Sequence, residues 1–364
     1  MTIKDITGHL EKIAPLKYAE DFDNVGLLVG NYTTEVTGVL VTLDTLEEVV
    51  DEAIEKNCNL IISFHPIIFS GLKKINGNTY VERVVLKAIK NDIAIYAIHT
   101  ALDNSIKGVS AKMAEVLGLQ NIKVLLPKNK LIKKLTTYVP HKDANKVRKA
   151  LFKVGAGAIG NYDDCSFTIE GHGTYKGNEY SNPSIGKKGK LHTEPETMLS
   201  VIFEKHHETK ILKTLFKVHP YEEVAYEIIT TDNIHQDIGM GIVGELSKEM
   251  DESSFLKLLK EKFLLKCIKH SKLLNKPVKK IAVLGGSGSF AIEAAKNAGA
   301  DIYVSSDSKY HEFYKAENQI ILADIGHYES EQFTKNLIVE HLTKKILNFA
   351  IILSEKNTNP INYI

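Results

Sequence analysis

Short apolar runs that end in a polar side chain recur along the chain. Residues 59–64 follow a helical pattern rich in Glu and Ala, and they end at His65, which precedes Pro66. A continuous apolar run of this length predicts a buried parallel strand, and ligands of open α/β sheets bind at the carboxyl ends of such strands. Pro66 fixes its own φ and favours an extended conformation at His65. The pattern therefore predicts that the imidazole of His65 is held at a ligand-binding edge.

Three further apolar runs also end in side chains of metal-ligating types. Two are followed by a histidine, three more residues and a carboxylate, and the third ends in an aspartate with a histidine four positions later. These pairs are His99 with Asp103, His327 with Glu331, and Asp307 with His311. If the strands share one parallel sheet, their carboxyl ends bring these side chains to one crevice. Imidazoles together with carboxylates are typical ligands of Zn, Mn or Fe.

The order of helical and extended patterns divides the chain into three parts. Residues 1–129 and 242–364 each alternate strand and helix, and Asp307 aligns with His65 after a short gap. This weak repeat predicts two pseudo-symmetric halves of one α/β unit, although βαβ order alone also produces such likeness. Residues 130–241 follow the order strand, helix, strand, strand, helix, strand, which is typical of a small ferredoxin-like α+β module. The predicted fold class is α/β with an inserted α+β domain.

Composition restricts the class of protein. The chain has 364 residues, of which 43% are hydrophobic and 25% charged, as expected for two or three globular domains. A formal net charge of +1 gives no electrostatic reason to expect nucleic acid or an anionic membrane as a partner. The three cysteines form no CxxC pair, which suits a reducing compartment. Because no apolar run approaches the roughly 20 residues of a membrane span and the amino terminus is polar, we expect a cytoplasmic protein.

Each candidate residue also has a structural interpretation. A single histidine at a strand end is more often a hydrogen-bonded structural residue than a ligand, and only the recurrence over four strand ends favours a metal site. His99 is also a candidate for orienting a ligand. Asp307 and His311 are equally suited to capping the following helix. Residues 286–291 fit the dinucleotide fingerprint G-x-G-x-x-A, but metal binding ranks above NAD binding because a lone fingerprint is weak.

The motifs of the chain together resemble those of one known family. In the first and last parts they are DNVGL (23–27), HPIIF (65–69), HTALD (99–103), GGSG (285–288), DSKYH (307–311) and GHYESE (326–331). In the middle part they are GAG (155–157), IGNY (159–162) and HPYEEVAY (219–226). The chain resembles the Nif-three-like family of Ngg-interacting factor three homologues, in its longer form with an inserted domain. Members of this family are described as GTP cyclohydrolase 1 type 2 homologues or dinuclear metal-binding proteins.

The resemblance implies two interleaved α/β/α halves, a toroidal homo-hexamer and a dinuclear metal site inside the ring. By motif position it implies that Asp103 bridges the metals and that the ligands are His65, Asp103, His327 and Glu331. The family commonly has two histidines before the proline, whereas this chain has Phe64 at the first of them. Because phenylalanine cannot coordinate a metal, we expect one or two divalent ions (Zn, Mn or Fe) per chain. His99 and His311 are the candidate compensating ligands.

The family description implies a hydrolase that opens the guanine ring of GTP by attack of metal-activated water at C8. His99 and His311 are the candidate catalytic proton shuttles, since imidazole titrates near neutral pH. Lys309 is a candidate partner for the phosphates of a nucleotide substrate. Two alternatives remain open: a metal-dependent phosphoesterase, and a non-enzymatic metal-binding or regulatory hexamer. The loss of a ligand at Phe64 slightly favours the non-enzymatic alternative.

Overall fold

A computed structural model describes residues 1–364 and shows a mixed α/β protein with several sheets. The chain divides into two compact units. The first combines Met1–Pro127 with Asp237–Ile364, and the second is Lys128–Gln236. The three-domain division with an insert at 130–241 stays a prediction. No helix has both the length and the apolar character needed to cross a lipid bilayer.

The strands, in chain order, are β1 Gly26–Val29, β2 Val39–Thr42, β3 Leu60–Ser63, β4 Ala94–Ala97, β5 Gln120–Pro127, β6 Ile132–Pro140, β7 Ser166–Tyr175, β8 His192–Glu204, β9 Tyr226–Thr230, β10 Gly239–Met250, β11 Lys269–His270, β12 Val278–Ser287, β13 Ile302–Ser306, β14 Ile321–Asp324 and β15 Ile351–Leu353. The α-helices are α1 Ile3–Leu10, α2 Glu47–Glu55, α3 Tyr80–Lys90, α4 His99–Asp103, α5 Val109–Leu117, α6 His141–Phe152, α7 Glu208–Val218, α8 Glu252–Lys262, α9 Ile292–Asn297, α10 His327–Glu331 and α11 Thr334–Lys345.

The first sheet of the larger unit has the order β1-β4-β3-β2-β15. Strands β4, β3, β2 and β15 are parallel, and β1 runs antiparallel to β4. The residues of β2 and β3 are buried throughout, as expected for continuous apolar runs in a sheet that is covered on both faces. The carboxyl-terminal segment completes this layer, because Ile338 and Leu342 of α11 join the same core cluster as Ile3 and Ile6 of α1.

The second sheet has the order β11-β14-β13-β12-β10-β5. Only β12, β13 and β14 are parallel to one another in it, while β5, β10 and β11 run antiparallel to their neighbours. The strands that precede His65 and His99 therefore lie in the first sheet, and those that precede Asp307 and His327 lie in the second. The single parallel sheet considered from the sequence is wrong, since β1 and β15 occupy the two edges that β12–β14 would have needed.

The smaller unit contains one antiparallel sheet in the order β7-β8-β6-β9. Alternate residues of β6 and β8 pack against α6 and α7, in a core that includes Leu135, Leu199, Leu151 and Ile211. Because successive side chains of a strand point to opposite faces, the residues between these core positions lie on the face away from the two helices.

A buried glutamate joins the carboxyl-terminal segment to the first sheet. Glu52 of α2 is only 2% exposed. Its carboxylate accepts hydrogen bonds from Ser354 Oγ at 2.6 Å, from the backbone N–H of Glu355 at 3.0 Å and from Lys56 Nζ at 2.8 Å. Burial by itself raises the pKa of Glu52, but these donors outweigh it and leave the pKa below its ordinary value. The ionised form is therefore the one that the folded state stabilises.

We expect Glu52→Ala to lower the free energy of unfolding by about 2–3 kcal/mol, because it leaves two donors of the carboxyl-terminal segment unpaired. Glu55→Ala, an exposed position on the same helix, is the matched control and should have little effect. A depressed pKa contributes stability above the unfolded value, so the difference between the wild type and Glu52→Ala should shrink as pH falls below about 4. Chemical denaturation at several pH values measures both the loss of unfolding free energy and its dependence on pH. Equal losses in the two variants would contradict this role.

Candidate metal centre

Three side chains from distant parts of the chain meet in the larger unit. His65 follows β3, while His327 and Glu331 begin and end the short helix α10. Gly326, with φ +93°, makes the sharp turn from β14 into this helix. The four-residue spacing then places His327 and Glu331 on the same helix face. Ligand atoms of the three residues all lie within 4.8 Å of one another. We refer to them as the His-His-Glu cluster.

The centre of the cluster is one buried carboxylate oxygen. Glu331 Oε2 lies 3.1 Å from His65 Nε2 and 3.2 Å from His327 Nε2. Neither contact has hydrogen-bond geometry, so Oε2 is a buried polar atom without a hydrogen-bond partner. A buried acceptor of this kind is costly unless something compensates it. Two imidazole nitrogens and a carboxylate oxygen converging in this way fit a divalent cation of the Zn, Mn or Fe type.

A second carboxylate orients each imidazole. His65 Nδ1 lies 2.7 Å from Asp44 Oδ1, and His327 Nδ1 lies 2.7 Å from Asp307 Oδ2. When Nδ1–H donates to a carboxylate, Nε2 is the nitrogen left for coordination, as in many carboxylate–histidine–metal arrangements. Thr358 Oγ1 in turn donates to the other oxygen of Asp44 at 2.7 Å. The two histidines therefore present the same nitrogen atom to Glu331.

The electrostatics of the cluster reflect these pairings. Burial by itself lowers the pKa of His65, but the hydrogen bond with Asp44 and the negative charges of Glu331 and Asp44 raise it to about 10. Burial opposes a similar rise at His327, but the negative charge of Glu331 and the hydrogen bond with Asp307 raise its pKa to about 9. Burial would raise the pKa of Glu331, yet the two imidazoles lower it to about 2. Glu331 is therefore ionised, and without a cation both imidazoles favour the protonated form, so binding of a metal ion would require loss of the proton from each Nε2.

Asp103, at the end of α4, interacts electrostatically with the same cluster. Burial and the negative charges of Glu331 and Asp23 raise its pKa well above the ordinary value, while the charges of His65 and His327 oppose that rise. Asp103 is not one of the residues whose ligand atoms lie within 4.8 Å of each other. Mutual repulsion between two carboxylates is nevertheless the condition that a divalent cation relieves.

His99 adjoins the cluster without belonging to it. Its ring centroid is 5.3 Å from that of His65, and its Nδ1 is 2.8 Å from Asp23 Oδ1. Asp23 also accepts hydrogen bonds from the backbone N–H and the hydroxyl of Thr100, at 3.1 and 2.5 Å. The φ of His99 is +22°, an unfavourable value for a side chain with a Cβ. The contact with Asp23 fixes the orientation of this imidazole beside the candidate centre.

Phenylalanine rings form the wall around His99. Phe64 is fully buried, and its ring lies 4.9 Å from the His65 ring and 5.5 Å from the His99 ring, between centroids. Phe69 is 51% exposed and lies 6.4 Å from His99 and 6.4 Å from the exposed ring of Phe22. The position that the family resemblance gives to a metal ligand is therefore part of the hydrophobic core here.

His311 lies in a different environment. It is exposed, and its ring contacts those of Tyr310 and Tyr314 at centroid distances of 5.2 and 6.2 Å. No described contact joins His311 to the His-His-Glu cluster. The structure thus brings together His65, His327 and Glu331, adds His99 at the side, and leaves His311 outside, while Asp103 as a ligand stays a prediction.

Sequence reasoning missed the two aspartates that orient histidines in the first part of the chain. Asp44 lies just beyond the apolar run of β2, as His65 lies just beyond that of β3, so the strand-end argument applied to it equally. Asp23 lies in the DNVGL motif, but no strand-end signal gave it a role. The sequence aligned Asp307 with His65, whereas in the structure Asp307 contacts His327 as Asp44 contacts His65.

Gly286 allows the chain to approach Glu331 closely. A Cβ at this position would lie 2.4 Å from Glu331 Oε1, and the φ of Gly286 is +71°. Its backbone N–H donates to Ser330 Oγ at 2.9 Å, so that amide is already used within the protein. Gly286 is therefore required for the packing of Glu331. This role accounts for the first glycine of the G-x-G-x-x-A pattern without a bound dinucleotide.

The fold and the cluster define an α/β protein with a candidate metal centre between two sheets of one unit. The sequence profile of Duf34/NIF3 (NGG1p interacting factor 3) matches residues 1–360. The chain is 39% identical over 360 residues to the GTP cyclohydrolase 1 type 2 homolog of Bacillus subtilis, covering 97% of this chain and 96% of that protein. The corresponding protein of Listeria monocytogenes is 36% identical over 366 residues, covering 99% and 98%.

Solved structures agree with these sequence relationships. The crystal structure of a Bacillus cereus protein related to NIF3 has a TM-score of 0.86 at 37% identity, covering 100% of this chain and 99% of that one. That of a Staphylococcus aureus protein has a TM-score of 0.79 at 31% identity, with the same coverage. The chain therefore belongs to the Duf34/NIF3 family, which confirms the resemblance inferred from its motifs.

Substituting Gly286 should damage the cluster more than the fold. We expect Gly286→Ala to displace the Glu331 carboxylate and to lower zinc affinity at least tenfold. Gly299→Ala is the matched control, because Gly299 has nearly the same φ, +70°, and a Cβ added there would meet no atom within 4 Å. Both variants carry the same backbone strain of about 1 kcal/mol. Zinc titration beside thermal melting measures the difference, and equal zinc affinity in the two variants would refute the steric argument.

Proposed function

We propose that this protein binds a catalytic divalent metal ion at the His-His-Glu cluster and acts as a metal-dependent hydrolase. The observation that carries the proposal is the buried, hydrogen-bond-free Glu331 Oε2 beside two imidazole nitrogens. His65, His327 and Glu331 would hold the ion, and Asp103 would be the further ligand that neutralises it. Such an ion supplies Lewis-acid chemistry and lowers the pKa of water toward neutrality.

The residues around the cluster have separate parts in this proposal. Asp44 and Asp307 fix the orientation of the two histidine ligands through Nδ1. His99 is the candidate catalytic proton shuttle, because Asp23 binds its Nδ1 and leaves Nε2 to accept or give a proton. His311 is the second candidate proton shuttle from the sequence. Its role stays a prediction, because its ring contacts Tyr310 and Tyr314 and no contact joins it to the cluster.

The proposed substrate follows from the family. Relatives are named GTP cyclohydrolase 1 type 2 homologs, and we extend that name to a proposed hydrolytic opening of the guanine ring of GTP at C8. The exposed ring of Phe69 lies beside His99 and contacts the exposed ring of Phe22, which supports a planar aromatic substrate. A metal-dependent phosphoesterase would use the same ligands, and a GTP assay that follows both formate and phosphate separates the two activities.

One observation favours a non-enzymatic alternative. Phe64 is fully buried where the family resemblance places a ligand, so a second metal of a dinuclear pair would lack that donor. Under this alternative the protein is a metal-binding or regulatory homo-hexamer. The hexamer itself stays a prediction, which sedimentation velocity of the purified protein tests.

Two finer features of the fold belong to the same proposal. The paired contacts His65–Asp44 and His327–Asp307 support two pseudo-symmetric halves, because each half supplies one histidine with one carboxylate after the neighbouring strand. The antiparallel order β7-β8-β6-β9 supports a ferredoxin-like smaller unit, since this is the strand order that a βαββαβ chain adopts in that arrangement.

Metal content tests the number of ions. We expect the purified protein to retain about one Zn, Mn or Fe per chain, because one cluster of three ligands is complete. Phe64→His should raise the content toward two, since it adds an imidazole next to His65 and His99. Phe69→His, which changes an exposed ring nearby, is the matched control. Elemental analysis measures all three proteins, and a metal content near zero in the wild type would reject the metal-site proposal.

Turnover of GTP tests the hydrolase. Metal-loaded protein should release formate or a formamidopyrimidine product, and Glu331→Gln should lose both the metal and the activity. His99→Gln should keep the metal but lower kcat by about 100-fold or more, as expected for loss of a proton shuttle. His270→Gln, an exposed histidine of the same unit, should change neither. Absence of turnover with Zn, Mn and Fe alike, in protein that binds them, would favour the non-enzymatic alternative.

A further inference from the structure

The smaller unit contains a cavity of its own on the sheet face opposite α6 and α7. Its volume is about 660 Å³, which lies within the usual range for small-molecule sites. The sheet register places Tyr138, Met198 and Ile169 in one row across β6, β8 and β7, and this row forms part of the lining. Residues 176–184 and the segment 221–225 contribute further lining.

The cavity lining includes one charged side chain that is buried. Glu196 of β8 is 8% exposed and accepts one hydrogen bond, from Tyr221 Oη at 2.7 Å. Among the described residues it forms no ion pair. The remaining charged residues of the lining are exposed: Glu170, Lys176, Glu222 and Glu223. A carboxylate that is more than nine-tenths buried without a cation is costly, so a ligand that brings a positive charge is favoured there.

Two tyrosine rings lie on the side of the cavity where Tyr221 contacts this carboxylate. The rings of Tyr175 and Tyr221 meet edge to face, with centroids 5.6 Å apart. Tyr175 Oη donates to the backbone carbonyl of Ile185 at 3.0 Å, which ties the loop after β7 to the cavity. Burial and the charge of Glu196 raise the pKa of Tyr221, so its phenol stays protonated and continues to donate. Aromatic faces next to a carboxylate form a suitable environment for an organic cation.

A histidine fixes the segment that carries Tyr221. His219 is 7% exposed, its Nε2 lies 3.1 Å from the backbone carbonyl of Tyr138, and its Nδ1 accepts from the backbone N–H of Tyr221 at 3.1 Å. These two contacts imply the neutral tautomer with the proton on Nε2. The position of the Tyr221 ring is therefore set before any ligand binds.

We propose that this cavity binds a small organic cation, a primary amine with an apolar body. The ammonium group would pair with Glu196, and the apolar part would pack against Tyr175, Tyr221 and the row of Met198 and Ile169. An inorganic ion fits less well, because Ca²⁺ and Mg²⁺ require several oxygen ligands and only one buried carboxylate is present. The proposal is independent of the metal centre, since every residue that carries it belongs to the smaller unit.

Three probes of matched shape test the proposal on the full chain: phenethylamine, 2-phenylethanol and 3-phenylpropionate. Isothermal titration calorimetry should show phenethylamine binding at least tenfold more tightly than the neutral alcohol, with no binding of the acid. Equal affinities for the amine and the alcohol, or no binding of the amine, would overturn the proposal. Either result would indicate that the cavity accepts something else, such as a side chain of a second copy.

Two variants locate the binding. Glu196→Gln should weaken phenethylamine binding at least tenfold, whereas Asp232→Asn, which removes an exposed carboxylate outside the cavity, should not. Ile169→Lys adds a positive charge at a lining position that is 50% exposed, so it should also weaken binding while the fold is kept. Ile229→Lys, 53% exposed in the same sheet and outside the cavity, is its control. Unchanged affinity in Ile169→Lys would reject the cavity as the site even if Glu196→Gln fails to fold.

Discussion

The larger unit depends on one electrostatic constraint, the burial of the Glu331 carboxylate between two imidazoles. The two imidazoles lower the pKa of this carboxyl group to about 2, so they favour the charged form despite burial. A charge in this position requires positive partners, and His65 and His327 reach it from two different sheets. Gly286 leaves space for the Glu331 carboxylate, because a Cβ there would overlap it. The short helix α10 places His327 and Glu331 on one face, so that the carboxylate reaches the imidazole. The local backbone is thus shaped around one oxygen atom.

The same constraint explains why the first and last parts of the chain interlock. Strand β15 lies beside β2 in the first sheet, and β5 from the first part lies beside β10 in the second. Each sheet therefore contains a strand from the other part of the chain, which limits how far the two sheets can separate. Glu52 adds a buried connection to Ser354 and Glu355. Histidines on both sheets can then meet at one carboxylate without depending on flexible loops.

Strand-end reasoning could predict the candidate ligands because apolar runs followed by His or a carboxylate are local signals. It placed His65, His327 and Glu331, which the structure brings within ligand distance. It could not choose between one sheet and two, since strand pairing is decided by contacts distant in sequence. It also gave His99 and His311 equal weight, although only His99 lies beside the cluster. The contact that places His99 is with Asp23, far along the chain, whereas the ring contacts of His311 are with Tyr310 and Tyr314 of its own segment.

Each unit contains a buried carboxylate, Glu331 in the larger unit and Glu196 in the smaller one. The groups around the two carboxylates differ, and this difference indicates the kind of cation that each would bind. Glu331 has two imidazole nitrogens within 3.2 Å, and the charge of a second carboxylate, Asp103, acts on the same cluster, which together favour a metal ion with several donors. Glu196 has one phenol and neighbouring aromatic rings, but no further ligand of that type. A compact divalent ion would remain poorly coordinated beside Glu196, whereas an ammonium group needs only one carboxylate and gains from the rings. Donor number, more than net charge, therefore separates the two candidate sites.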